Sequence, residues 1–118
     1  MLVSLKEIME YTRKNGNAVG AFNCCNYESV AAVVGAAEEL NLPVIISYAE
    51  VHKDIISIRD IAPIMLHFAK KSCVPVCVHF DHGVSLESCV EAMKEGFTSV
   101  MIDASAKSYE ENIEWRLQ

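Results

Sequence analysis

Three observations in the sequence predict an α/β fold on a parallel sheet, the first half of a β/α barrel. Short, predominantly apolar runs recur four times, as in parallel strands buried on both faces. Each run leads into a segment with apolar residues at helical spacing, the pattern of βα units joined by right-handed crossovers. The chain has 118 residues, whereas a closed eight-stranded barrel takes about 250. All of 1–118 is read as one domain, with no linker or low-complexity segment between its units.

A leading helix over 4–15 follows from the capping-box spacing of Ser4 and Glu7, the apolar Leu5, Ile8 and Met9, and the stop at Asn15-Gly16. The first strand, 19–22, ends at Asn23. Asn26 then caps a helix whose inward stripe is Val30, Val33, Val34, Ala37 and Leu40, halted at Asn41-Leu42-Pro43. The second strand, 44–48, is followed by a helix over 60–71 with Ile61, Ile64, Met65 and Phe68 inward and Pro63 in its first turn. The third strand, 75–80, precedes a helix capped by Ser85, bearing Leu86, Cys89, Val90 and Met93 and ending at Gly96. The fourth strand, 97–102, leads to a second capping box, Ser108 and Glu111, opening a helix with Ile113 and Leu117 on its apolar side.

Composition excludes several classes of function. A net charge of −6 with no basic cluster argues against nucleic acid and anionic membranes as partners, and no apolar run reaches the roughly 18 residues of a bilayer span. The N-terminal stretch lacks the basic and long apolar regions of a signal peptide, so a cytoplasmic location is expected. The five cysteines form no Cys-x-x-Cys pair and read as reduced, small core residues. Two unpaired sheet edges and an uncovered barrel-facing surface favour a homo-oligomer.

Ligands of parallel β/α folds collect at the carboxyl ends of the strands. Here those ends carry Asn23, Glu50 with His52, Asp81-His82, and Asp103 with Ser105. Asp81 and His82 share a pocket only if the backbone turns between them, which Gly83 permits. An adjacent carboxylate and imidazole suit a metal-ligating histidine beside an acid–base or ligand-orienting aspartate. They equally suit a loop capped by Asp81 with His82 exposed. His79 alternates onto the face of Asp81 and reads as a packed, hydrogen-bonded histidine. Asp103 repeats the context of Asp81 and is also open to a capping role; His52 and His67 are weaker candidates. No Gly-rich phosphate loop or nucleophile elbow is present in the sequence.

The ordered stretches 18–23, 76–83, 96–105 and 110–113 resemble the N-terminal part of class II fructose-bisphosphate aldolases and the related tagatose-bisphosphate enzymes. That resemblance implies a zinc-dependent TIM-type barrel of carbohydrate metabolism and glycolysis, a lyase cleaving a ketose 1,6-bisphosphate to dihydroxyacetone phosphate and glyceraldehyde 3-phosphate. It also implies roles: Asp81 as the acid–base residue, His82 as one of three zinc-ligating histidines, Asp103 as a carboxylate for a second metal ion, and Asn23 in the substrate pocket. Ala49 stands where the fructose-bisphosphate enzymes usually carry a serine, which bears on substrate identity. The other two histidines and the phosphate-binding loops of that family lie beyond residue 118, so the 118-residue chain alone is expected to be inactive. The alternative is a non-catalytic half-barrel used for binding or oligomerisation, including an open flavodoxin-like sheet.

Overall fold

The computed structural model describes residues 1–117. Five parallel strands and five helices alternate: β1 Leu2–Val3, α1 Leu5–Asn15, β2 Gly20–Asn23, α2 Tyr27–Leu40, β3 Val44–Ala49, α3 Ile58–Lys71, β4 Val76–Gly83, α4 Leu86–Lys94, β5 Ser99–Ile102 and α5 Tyr109–Arg116. A 3₁₀ turn, Glu50–Asp54, follows β3. The sheet runs β2-β3-β4, and the far side of β4 is shared along its length. β1 pairs with Val76 and Cys77, and β5 pairs with His79, Phe80 and Gly83.

The helix starts are written in the sequence. Side chains of Ser4, Asn26, Ser85 and Ser108 each accept from the backbone three residues on, with reciprocal bonds completing capping boxes. α3 begins two residues earlier than its apolar spacing indicates, because Ser57 caps it through the Asp60 N–H. Pro63 therefore sits inside α3, beyond the first turn, and the Arg59 carbonyl loses its usual N–H partner. Both residues are exposed, so water can serve that carbonyl.

The two faces of the sheet differ. Val44, Ile46, Tyr48, Val76, Val78 and Phe80 point at α2–α4 and form the main core with Val30, Val34, Ile61, Met65, Cys89 and Ala92. The opposite face would line a barrel lumen. Among the described residues, Ile45 and Cys77 are sealed there by Ile8 of α1, with Val3 and Val19 at the margin. Several residues expected on the apolar helix faces are exposed: Leu5 and Met9 on α1, Leu40 on α2, Leu86 and Met93 on α4, and Ile113 and Leu117 at α5. On α4 the buried stripe is Cys89 and Ala92, a narrower face than the one expected. Leu40 lies at the open β2 edge, where no helix covers it among the described residues. With Phe22, Val33, Ala36, Leu42 and Pro43 it lines an apolar cleft of about 380 Å³.

Candidate active site

The carboxyl ends of β2, β3, β4 and β5 carry the site. In register, Asn23 lies beside Ser47, Ser47 beside His79, and Ala49 beside Asp81. With Leu5, Ala21 and Ile45, the side chains of Asn23, Ser47, His79 and Asp81 line a lumen-facing cleft of about 230 Å³. Asn23 Nδ2 reaches Asp81 Oδ2 at 3.5 Å, a long contact. His79 Nδ1 pairs with Ser99 Oγ at 2.8 Å, and its Nε2 stands 3.8 Å from Asp81 Oδ1.

β4 does not end between Asp81 and His82. It continues to Gly83 through a register irregularity. His82 itself takes the left-handed conformation at φ 53°, which costs a non-glycine residue about 1–3 kcal/mol that its surroundings must offset. This inverts the expected role of Gly83. Its φ is not in the left-handed region; what it supplies is space, because a Cβ would come within 2.7 Å of Phe80, 2.8 Å of Cys89 Sγ and 3.0 Å of the Met101 carbonyl. The bulge turns His82 toward the face of Asp81, with Nε2 at 3.8 Å from Asp81 Oδ1.

Asp103, just past β5, accepts from His82 Nδ1 at 2.7 Å and from the Ser105 N–H at 3.0 Å. Ser105, first through its hydroxyl, and then His82 hold the Asp103 carboxyl well below the usual carboxylate range. The same bond to Asp103, helped by the nearby Asp81 charge, raises His82 above its ordinary 6.5. Burial lowers His79, against the pull of Asp81, and favours its neutral form.

A carboxylate on Nδ1 leaves Nε2 as the nitrogen able to ligate, the arrangement that orients metal-bound histidines. His82 is 57% exposed, so that nitrogen is accessible. Asp103, which the resemblance assigned to a second metal, spends Oδ2 on His82 here. Among the described residues no three His, Cys, Asp or Glu converge to hold a metal by themselves. His52 lies away from this group, its ring edge-on to Tyr48, and His67 is exposed on α3 against Phe68. Sequence reasoning missed Ser47 and Ser99. Their alternation on β3 and β5 was readable, but not which neighbour each would meet.

The family model described as Fructose-bisphosphate aldolase class-II matches residues 3–116. The chain belongs to this aldolase family. Over 113 residues it is 43% identical to the fructose-bisphosphate aldolase of Thermus caldophilus, covering 96% of this chain and 37% of that enzyme. The fructose-bisphosphate aldolase of Staphylococcus epidermidis is 41% identical over 117 residues, with 96% and 41% covered. The crystal structure of the YdjI aldolase from Escherichia coli K12 superposes with a TM-score of 0.94 at 37% identity, over 98% of this chain and 44% of that one. Campylobacter jejuni fructose-bisphosphate aldolase gives 0.77 at 25% identity, over 96% and 41%. The fold is thus half of a TIM-type barrel, and the chain spans well under half the length of these aldolases.

Proposed function

We propose that residues 1–118 form the N-terminal half of a class II ketose-bisphosphate aldolase and contribute its acid–base residue and one zinc ligand. The observation that carries this reading is His82, held on Nδ1 by Asp103 with Nε2 beside Asp81 at the strand ends. Zinc, when bound, supplies Lewis-acid polarisation of the ketone carbonyl. His82 Nε2 would be its ligand from this chain, and two further ligands come from the rest of the barrel. Asp81 exchanges a proton with the aldehyde oxygen, and Asn23, 3.5 Å from its Oδ2, lines the substrate pocket. His79, kept neutral by burial, lies on the other carboxylate oxygen without adding charge to the cleft. Asp103 orients His82, and the second-metal role implied by resemblance would draw on its remaining valence.

The substrate in this reading is a ketose 1,6-bisphosphate of carbohydrate metabolism, cleaved to dihydroxyacetone phosphate and glyceraldehyde 3-phosphate. Ala49, in register with Asp81 where the family resemblance expects a serine, bears on which ketose fits. The proposal includes a cytoplasmic location, which suits five free thiols. Among the described residues no helix is long and apolar enough to cross a membrane. It also includes self-association, since Phe22 at 51% exposure and Leu40 at 68% leave an apolar edge uncovered.

The test joins this chain to the C-terminal remainder of the Thermus caldophilus enzyme. Cleavage of fructose or tagatose 1,6-bisphosphate that a chelator abolishes is the expected result, with none from the 118-residue chain alone. A folded, zinc-loaded chimera without cleavage of either sugar contradicts the reading.

A further inference from the structure

The geometry points to Glu50 as the residue that positions His82, acting from the neighbouring strand through the peptide that follows the bulge. This rests on the reading of His82 as a ligand. The Asp103 carboxylate fixes the imidazole ring but not the backbone that carries it, and a left-handed histidine needs its following peptides held as well. Two bonds do this. The Asp103 N–H donates to the Gly83 carbonyl at 2.8 Å, from the β5 side. From the β3 side, Glu50 Oε2 accepts from the Val84 N–H at 2.7 Å, across 34 residues of sequence.

Val84 itself is 60% exposed, so packing holds it only weakly. Glu50, in contrast, leaves a rigid base. It follows Ala49, which pairs with Asp81, and Tyr48, which is buried with its hydroxyl donating to the Ile56 carbonyl at 2.8 Å. A carboxylate accepting a backbone N–H makes a short, charge-assisted bond. Glu50 bonds to the Val84 N–H rather than to Asp81 or the imidazole, so it is a positioning residue: it holds the Gly83–Val84 peptide, the peptide holds the φ of His82, and that φ aims Nε2.

The test uses the 118-residue chain labelled with ¹⁵N-histidine, the variants Glu50→Ala and Glu50→Gln, and His82→Ala to assign the signal. At a pH where the imidazole is neutral, the Asp103 bond imposes the Nδ1–H tautomer on His82. Glu50→Ala should return it toward the Nε2–H form preferred by a free imidazole, speed exchange of the Val84 amide, and raise the zinc concentration that shifts His82 Nε2 about 10-fold. Glu50→Gln, which keeps an acceptor oxygen, should restore most of the tautomer and zinc response. Should Glu50→Ala fail to fold, Glu50→Asp, one methylene short of the same reach, carries the same expectations.

Faster exchange at Val84 with an unchanged His82 tautomer and zinc response would reduce Glu50 to a loop contact and overturn the proposal. A parent chain whose His82 does not respond to zinc, but whose tautomer still depends on Glu50, would support the positioning role and remove the ligand reading beneath it.

Discussion

Along β3 and β4, residues facing the helices and residues facing the lumen alternate on one backbone, yet they meet different demands. Tyr48, Phe80 and Phe97 meet as aromatic neighbours with centroids 6.1–6.5 Å apart, and the aliphatic residues around them are buried. One position away, Ser47, His79 and Asp81 face the lumen cleft, where Leu5, Ala21 and Ile45 supply the apolar lining. The period of two thus divides stability from chemistry residue by residue. A substitution should act on one property or the other according to parity.

The largest expected contrast is between Phe80 and Asp81. Phe80→Ala should cost about 3–5 kcal/mol of stability, whereas Asp81→Ala should cost under about 1 kcal/mol. Denaturant unfolding of the 118-residue chain measures both, and equal losses would break the division. Gly83 sharpens it, because it sits on the site strand but its missing Cβ points into Phe80 and Cys89. Gly83→Ala should cost about 1–3 kcal/mol by overpacking, and should also disturb the His82 imidazole signals, which Phe80→Ala in its folded fraction should not.

The smallest effect is electrostatic. His82 is raised above 6.5 and Asp103 is depressed below 3.8. The raised histidine stabilises the fold fully below 6.5 and loses that contribution as pH rises through its folded value. The depressed carboxylate contributes above 3.8 and loses it as pH falls through its folded value. Their bond should therefore be strongest between about pH 4 and 6.5. Asp103→Asn should return the His82 titration toward 6.5, as histidine NMR would show; an unmoved midpoint would mean that Asp81 supplies the shift.

Much of this was legible in the residue order. Capping boxes and apolar periods marked α1, α2, α4 and α5 because those signals are local. β1 was not legible: two residues cannot display a period, and its pairing with β4 is tertiary. The start of α3 lies two residues before its apolar spacing begins, marked in the sequence by the cap Ser57 alone. The four polar strand ends were readable as a set, and so was the shared face of His79 and Asp81. The bonds among them were not, since His82 to Asp103, His79 to Ser99 and Glu50 to Val84 join residues 20 or more apart. Assigning the turn to Gly83 followed the usual preference of glycine for positive φ. Here packing against Met101 required glycine at 83 and left the strained backbone to His82.

In the function proposed above, neighbouring residues divide the site, with Asp81 moving the proton and His82 holding the metal. In the closed barrel made with the Thermus caldophilus remainder, zinc content and cleavage rate measured together decide it. Asp81→Ala should keep full zinc while kcat falls about 10²–10⁴-fold with a smaller change in KM, and His82→Ala should lose zinc and cleavage together. An Asp81→Ala protein without zinc, or a His82→Ala protein with full zinc occupancy, would contradict the assignment.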